Sequence, residues 1–551
     1  MAVPARVVIV GGVAGGMSTA ARLRRLDEDI EIIVLERSGH VSFANCGLPY
    51  FVGGVIEDED DLTLQTPEQL FNRFRLDVRV DHEVVAIDRA DHTVTVRRAG
   101  GVDCTIGYDR LVLSMGAAPV RPPIPGFDRV RSLRTVEDAA CLATDVGEAP
   151  HHAVVIGAGF IGLEVTENLV ARGIAVTVVE SAPQVLTPLD PELAILVADE
   201  LTAHGVRVET GATVASIGKH DVTLADGRTI PADLVVGAIG VRPDAELARA
   251  AGLAIGTKGG IAVDDANRTS DPHIYAVGDV VEKPDAVSRG TSLIALANVA
   301  NRQGRRVADH IAGRPSHSVP SLGTAIVKVF GIVAATIGWN ERKLAALGRR
   351  SRAIHSHPFD HATYYPGATR MAAKLIFAPD DGAILGAQIV GRHGVDKRID
   401  VIATAMAAGF TASGLADLEL AYAPPFSSAK DPVNQLGYMA ENVLCGDCDV
   451  VAAAELADLV MDGWELIDVR SPAEHYVGAI PQSRNIPLDV MREYLHELGA
   501  GPFVVYCEVG QRGHTATALL HELGFKARNL DGGFQTWTAW TRADTSPVRA
   551  S

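Results

Sequence analysis

Residues 153–181, AVVIGAGFIGLEVTENLVARGIAVTVVES, decide the fold class. An apolar run rich in β-branched residues meets the turn Gly157-Ala158-Gly159-Phe160-Ile161-Gly162. A stretch of helical period follows, and then a second apolar run that ends in Glu180. This is a strand, a glycine turn, a helix and a parallel strand. The same order occurs 146 residues earlier, in VVIVGGVAGGMSTAARLRRL (7–26) and IEIIVLER (30–37), so the unit is present twice. A third piece, TSDPHIYAVGDV (269–280), carries a short strand that closes on Gly278-Asp279.

The glycines of such a turn let the backbone approach a pyrophosphate, which then sits on the N-terminus of the helix. In the second unit Gly157, Gly159 and Gly162 are in register, and Glu180 would bind a ribose 2′-hydroxyl and repel a 2′-phosphate. NADH is therefore expected there, with NADPH less favoured. The first unit has Gly11, Gly12, Gly15 and Gly16, with Val13 in place of the middle glycine, and Glu36 at the end of its second strand. Together with Gly278 and Asp279 this is a split FAD site. Two dinucleotides in one chain imply a hydride relay from NADH to FAD and onward.

A chain of 551 residues is too long for one core. The fold class read from the pattern is α/β. FAD binding falls to 1–115 and 241–320, and NAD binding to 116–240. An α+β segment covers 321–440, a linker 441–452, and a last α/β unit 453–545. Net charge is −18, aromatics are 5 %, and no long Lys/Arg run occurs, which excludes a nucleic-acid partner. Six dispersed cysteines do not form a disulfide framework and suit a reducing, cytoplasmic setting. MAVPARVVIVGG runs straight into a strand, and no uncharged apolar run approaches the roughly 18 residues of a membrane span.

The chemistry centres on SFANCGLPYF (42–51). A two-cysteine flavin site would read C-x-x-x-x-C, but five residues on from Cys46 is Phe51 and five back is Val41. A thiolate beside a flavin and a helix N-terminus is expected to have a lowered pKa. With no second protein thiol, the other sulfur must come from substrate, as a mixed disulfide or a persulfide.

These residues resemble the pyridine nucleotide–disulfide oxidoreductase family over roughly residues 1–440. Within it, the resemblance is to the coenzyme A-disulfide reductase branch. Asn45 stands where the oxidase and peroxidase branch has Ser, and Ala14 where that branch has His. HATYYPG (361–367) and AYAPPFSSAKDP (421–432) are similar to the same branch. The resemblance implies two Rossmann-like domains and a homodimer formed through 321–440. It also implies substrate contacts from Ser18, Arg22, Arg25, Ser42, Asn45 and Lys430. Arginines suit the phosphates of coenzyme A, although a solvated helix face is the plainer reading of Arg22 and Arg25. Tyr364, Tyr365 and Tyr422 would give a proton to a leaving thiolate, or pack.

Residues 453–545 resemble a single rhodanese domain, on IDVRSPAEHYVGAIPQSRNIP (467–487), VVYCEVGQRG (504–513) and LDGGFQTW (530–537). The loop from Cys507 to Arg512 is short enough for its N–H groups to converge on sulfur and stabilise a persulfide. Asp468 or Arg470 would brace it. Glu508 puts a negative charge beside the nucleophile and favours a persulfide donor over thiosulfate. Cys445 and Cys448 form a lone C-x-x-C, with no second pair to complete a tetrahedral site, and no metal is expected.

The reading is an FAD-dependent NADH reductase of coenzyme A persulfide, polysulfide or disulfide at Cys46, with sulfur transfer through Cys507. Alternatives are an NADH oxidase or peroxidase working through a sulfenic acid, a disulfide reductase with a non-catalytic rhodanese module, and a sulfur carrier or sensor.

Overall fold

The computed structural model describes residues 4–98, 100–316 and 318–544; residues 1–3 and 545, ends of two segments drawn from sequence, lie outside the described residues. The chain divides into two compact units, 1–179 with 212–323, and 180–211 with 324–551.

In the first unit Arg6–Val10 lies between Glu31–Leu35 and Arg110–Leu113, with Ile274–Ala276 and Asp77–Arg79 outermost, all parallel. Val7, Val8 and Ile9 are fully buried. A strand covered on both faces reads as a continuous apolar run, as this one does. Helix Ala14–Leu26 makes the crossover. Helix Ala297–Ile311 packs on it so tightly that a Cβ on Gly304 would strike the Gly15 carbonyl. The second copy sets His152–Ile156 between Ala175–Glu180 and Leu234–Gly237, also parallel, with helix Phe160–Ala171 as crossover.

The second unit holds two sheets. One is antiparallel, in the order Ala325–Val329, Ile332–Gly338, Ile384–Gly391, Met371–Phe377, Arg352–Ser356. The other is parallel, in the order Val450–Val451, Ala527–Leu530, Phe503–Tyr506, Glu465–Asp468, Arg484–Asn485. Helix Pro191–Ala203, assigned by sequence to the 116–240 segment, belongs to this unit. The cause is Lys374, 1 % exposed, whose ammonium lies 2.8 Å from Asp190, 2.6 Å from Glu192 and 2.6 Å from Glu341. An enclosed ammonium requires such partners.

The 441–452 stretch is not a free linker. Helix Pro432–Cys445 runs to its end at the left-handed Gly446, and Val450–Val451 already pairs with Ala527–Leu530. Gly446, inside the stretch that reads as a linker, is a helix cap. No helix among the described residues is long and apolar enough to cross a membrane.

Candidate functional site

The two glycine turns have matching backbones. Gly11 has φ +99° and Gly157 φ +104°, and a Cβ at either would collide with a carbonyl, Ser114 or Ala238 respectively. Only glycine fits there. Glu36 accepts from Gly12 N (2.8 Å) and Ser38 N (2.9 Å). A cavity of about 400 Å³ is lined by Gly11, Glu36, Ser38, Ser114 and Arg134. Asp279 sits on the turn Gly278–Val280, and its Oδ1 is buried with no partner. Burial pushes the Asp279 carboxyl up, against the pull of Lys283 and Arg134. Burial holds Lys283 down at about 8 while it donates to the Gly278 carbonyl at 2.7 Å. A helix N-terminus, an acid at a strand end and an orphaned buried acceptor fit FAD.

A second cavity, about 550 Å³, is lined by Ser18, Arg22, Arg25, Ser42, Asn45 and Cys46. Residues spread over the first 46 of the sequence thus meet at one place. Ser42 takes φ +52° and donates its N–H to the Gly12 carbonyl at 2.8 Å. Leu64 N then bonds the Ser42 carbonyl (2.9 Å) and Ala44 N the Leu62 carbonyl (2.8 Å), fixing the entry to the turn Asn45–Gly47. Asn45 Oδ1 is buried and unpartnered. Arg22 is already engaged by Asp309, at 2.6 and 2.8 Å, and Arg25 lies over the Phe74 ring at 5.0 Å. Asn301 and Arg305 of helix Ala297–Ile311 also line this cavity. Sequence reasoning missed them because nothing local in NRQGRR points back to Cys46, 255 positions before Asn301.

The thiol itself departs from expectation. The helix after it, Leu48–Val52, is a single short turn, and Cys46 is pushed up rather than down, by burial first and then by Glu164 and Asp279. Glu164, itself pushed up by burial, accepts from the Tyr50 hydroxyl at 3.4 Å.

In the second unit the tyrosines separate. Tyr364 and Tyr422 join hydroxyls at 2.5 Å, while Tyr365 meets His361 edge-on, ring centroids 5.7 Å apart. Tyr364, Tyr422 and Lys430 line a cavity of about 670 Å³ whose other residues include Gly510, Gln511 and His514. Tyr365 is not among them.

Cys507 follows strand Phe503–Tyr506 and is fully buried; Gly510, at φ +90°, leads into helix Gln511–Glu522. Arg512 grips Glu474 with both terminal nitrogens (2.9 and 2.6 Å); that bond pushes the guanidinium up against burial, and Cys507 adds a smaller push in the same direction. Ser471 holds Glu474 from behind, Oγ to Oε2 2.8 Å. Arg470, 2 % exposed, bridges Asp468 (2.8 Å) and Glu508 (3.0 Å). The Glu508 charge is therefore compensated, and it does not by itself turn away a dianionic donor. Cys448 is buried and pushed up to about 12, by burial and then Asp531 and Asp449. Such a thiol is a poor nucleophile. Asp190, Glu192 and Glu341 are the one acidic cluster among the described residues with metal-like spacing, and the Lys374 ammonium stands among them.

Residues 5–304 match the pyridine nucleotide-disulphide oxidoreductase family, 324–432 its dimerisation domain and 452–539 the rhodanese-like domain. The chain is 35 % identical over 443 residues to a coenzyme A disulfide reductase of Staphylococcus haemolyticus, covering 80 % of this chain and 100 % of that one. Among solved structures it is similar to reduced Bacillus anthracis CoADR-RHD (TM-score 0.96, 46 % identity, 98 % of each chain). It is likewise similar to an NAD-dependent persulfide reductase from A. fulgidus (TM-score 0.91, 38 % identity, 97 % of this chain and 100 % of that one). The protein is an oxidoreductase, and the chain belongs to the pyridine nucleotide-disulphide oxidoreductase family, with a rhodanese domain at its C-terminal end.

Proposed function

We propose that the protein reduces coenzyme A persulfide, polysulfide or coenzyme A disulfide with NADH, using Cys46 alone as the redox thiol and Cys507 as a carrier of sulfane sulfur. One observation carries this reading: Cys46 is the one cysteine among the described residues lining the cavity that Ser18, Arg22, Arg25 and Asn45 share. A substrate there must bring its own second sulfur.

FAD, held by the Gly11–Gly16 turn, Glu36 and Asp279, would supply two electrons taken from NADH as hydride. Glu180 selects NADH over NADPH by repelling a 2′-phosphate. The Cys46 thiolate attacks the substrate sulfur, one S–S bond forms as another breaks, and a thiol leaves with a proton. Two electrons and a further proton then split the Cys46 mixed disulfide into the Cys46 thiolate and a second thiol. For a persulfide the products are one thiol and hydrogen sulfide. Because the chain's own groups push the Cys46 thiol up, the proton on sulfur has to be managed by neighbours. We assign the leaving-group proton to the Tyr364–Tyr422 pair, supplied by the second subunit of a homodimer formed through residues 321–440. Ser18, Arg22, Arg25, Ser42, Asn45 and Lys430 are the proposed contacts to coenzyme A.

The test is Cys46→Ser and Cys507→Ser in the full chain. The first should leave flavin reduction by NADH intact and abolish turnover of both disulfide and persulfide. The second should abolish sulfane-sulfur transfer and spare reduction of free coenzyme A disulfide. Turnover that survives Cys46→Ser, or loss of both activities in Cys507→Ser, overturns the scheme.

A further inference from the structure

Asp531-Gly532-Gly533, the turn inside LDGGFQTW, is in use on both faces. On one face His355, from the edge strand Arg352–Ser356, donates its backbone N–H to Asp531 Oδ1 at 2.9 Å and sets Nδ1 2.6 Å from Oδ2. A Cβ on Gly532 would press against the His355 Cβ. On the other face Phe534 N–H donates to the Cys507 carbonyl (2.8 Å) and Gln535 N–H to the Glu508 carbonyl (3.0 Å). A Cβ on Gly533, at φ +63°, would collide with the Cys507 carbonyl and the nitrogens of Val509 and Gly510. The loop carrying Cys507 rests on a three-residue turn whose far side rests on His355.

His355 is enclosed, and four titratable groups face its imidazole. They are Asp531 from the turn, Glu192 from helix Pro191–Ala203 (Nε2 to Oε1 3.0 Å), Lys374 from the adjacent strand and His357 just past the end of its own strand. Burial lowers His355, but the charge and hydrogen bond of Asp531 and the hydrogen bond of Glu192 outweigh it and carry the imidazole up to about 9. It is a cation at neutral pH and donates from both nitrogens. His357, held down at about 3 by burial, then His355 and Arg370, is neutral and bonds Thr536 Oγ1 at 2.7 Å. Charge-assisted bonds of this kind are shorter and stronger than neutral ones.

We propose that His355 is a positioning residue for Cys507: by gripping Asp531 it holds the 531–533 turn against residues 507–510 and keeps that loop folded around the sulfur. His355 stands outside the segment that resembles a rhodanese, so this domain borrows part of its active-site support from the preceding one. Only the kinetic consequence of the inference rests on Cys507 being a sulfur carrier.

The experiment uses the full chain as His355→Gln, Asp531→Asn and the double variant, with hydrogen exchange of amides 507–511 as the primary readout. Loss of a charged buried hydrogen bond should raise that exchange on the order of ten- to a hundredfold in each single variant. The double variant should be no worse than the worse single one, because the two residues act through one contact. Sulfur transfer through Cys507 should fall in kcat with KM for the acceptor held, and flavin reduction by NADH should not change. A lowered melting temperature with exchange at 507–511 unaltered, or additive effects in the double variant, overturns the proposal. Should the variants not fold, the wild type decides. Protection at 507–511, relative to 503–506, should be lost as pH rises through about 9. A ratio that stays flat from about pH 7 to 10 overturns it as well. If wild-type Cys507 carries no sulfane sulfur, the carrier reading fails, and the exchange data still judge the positioning.

Discussion

Arg512 is where stability and sulfur chemistry can be pulled apart. Its guanidinium binds Glu474 at 2.9 and 2.6 Å and feels the charge of Cys507. The ion pair is well exposed, with side chains at 38 % and 35 %. Exposed pairs contribute about 0.2–1 kcal/mol, and a unit of this size loses about 2–4 °C in Tm per kcal/mol. Arg512→Ala should therefore melt no more than about 4 °C below wild type. Its chemical cost is of another order. Removing a preorganised donor from a developing anion costs about 10²–10³ in rate, so persulfide transfer from Cys507 to a thiol acceptor should fall by about that factor.

Glu474→Gln should fall between wild type and Arg512→Ala, since the cation stays but loses the partner that orients it. Arg512→Lys should resemble Arg512→Ala, because an ammonium cannot span both Glu474 oxygens and still donate to sulfur. The Arg512 bond, then burial opposing it, then the Ser471 bonds leave the Glu474 carboxyl down at about 2. The folded-state pKa is depressed, so the pair contributes above the ordinary carboxylate range and is lost only as pH falls toward about 2. The transfer rate should thus show no break from this pair between about pH 5 and 8. Stopped-flow transfer assays beside calorimetry measure both quantities on one preparation. If Arg512→Ala keeps transfer within about threefold of wild type, its donor role is refuted.

Three further outcomes follow from the same geometry. Glu164→Gln removes one of the carboxylates that push the Cys46 thiol up, so more thiolate is present at a fixed pH; iodoacetamide should alkylate Cys46 faster near neutrality, and an unchanged or slower rate refutes the coupling. Lys374→Met leaves Asp190 and Glu192 buried without their cation, a loss of about 3–5 kcal/mol; the C-terminal unit should melt at least roughly 6 °C lower, with partial recovery on adding Glu192→Gln. Glu180→Gln should raise KM for NADH about tenfold or more through loss of charged hydrogen bonds to the ribose and narrow the preference over NADPH; equal KM values in variant and wild type would remove Glu180 from the site.

The sequence was legible where backbone chemistry is local. A glycine turn between two apolar runs has few conformations open to it, and Gly11 and Gly157 duly share the same left-handed φ. The parallel sheets of both nucleotide units follow from those runs, and the short loop from Cys507 to Arg512 follows from its length. What could not be read is what distant side chains do to one another. The run HATYYPG offers three polar rings within five residues, and only a contact from Tyr422, 58 positions on, distinguishes Tyr364 from Tyr365. Arg22 reads as a free cation until Asp309 is placed beside it. Helix Pro191–Ala203 looks like part of its own nucleotide unit until Lys374 claims two of its flanking carboxylates. Charge is the property least settled by local sequence, because it depends on a few ångströms of through-space distance. Cys46 and Glu508 make the point in opposite directions. A thiol expected to be acidified is pushed up, by burial first and then by Glu164, more than a hundred residues away. A carboxylate expected to stand bare beside Cys507 is met by Arg470 at 3.0 Å. On the proposed carrier role of Cys507, a Glu508 already paired with Arg470 should not set donor selectivity; a Glu508→Gln variant should keep its ratio of persulfide to thiosulfate turnover, and a changed ratio would return that role to Glu508.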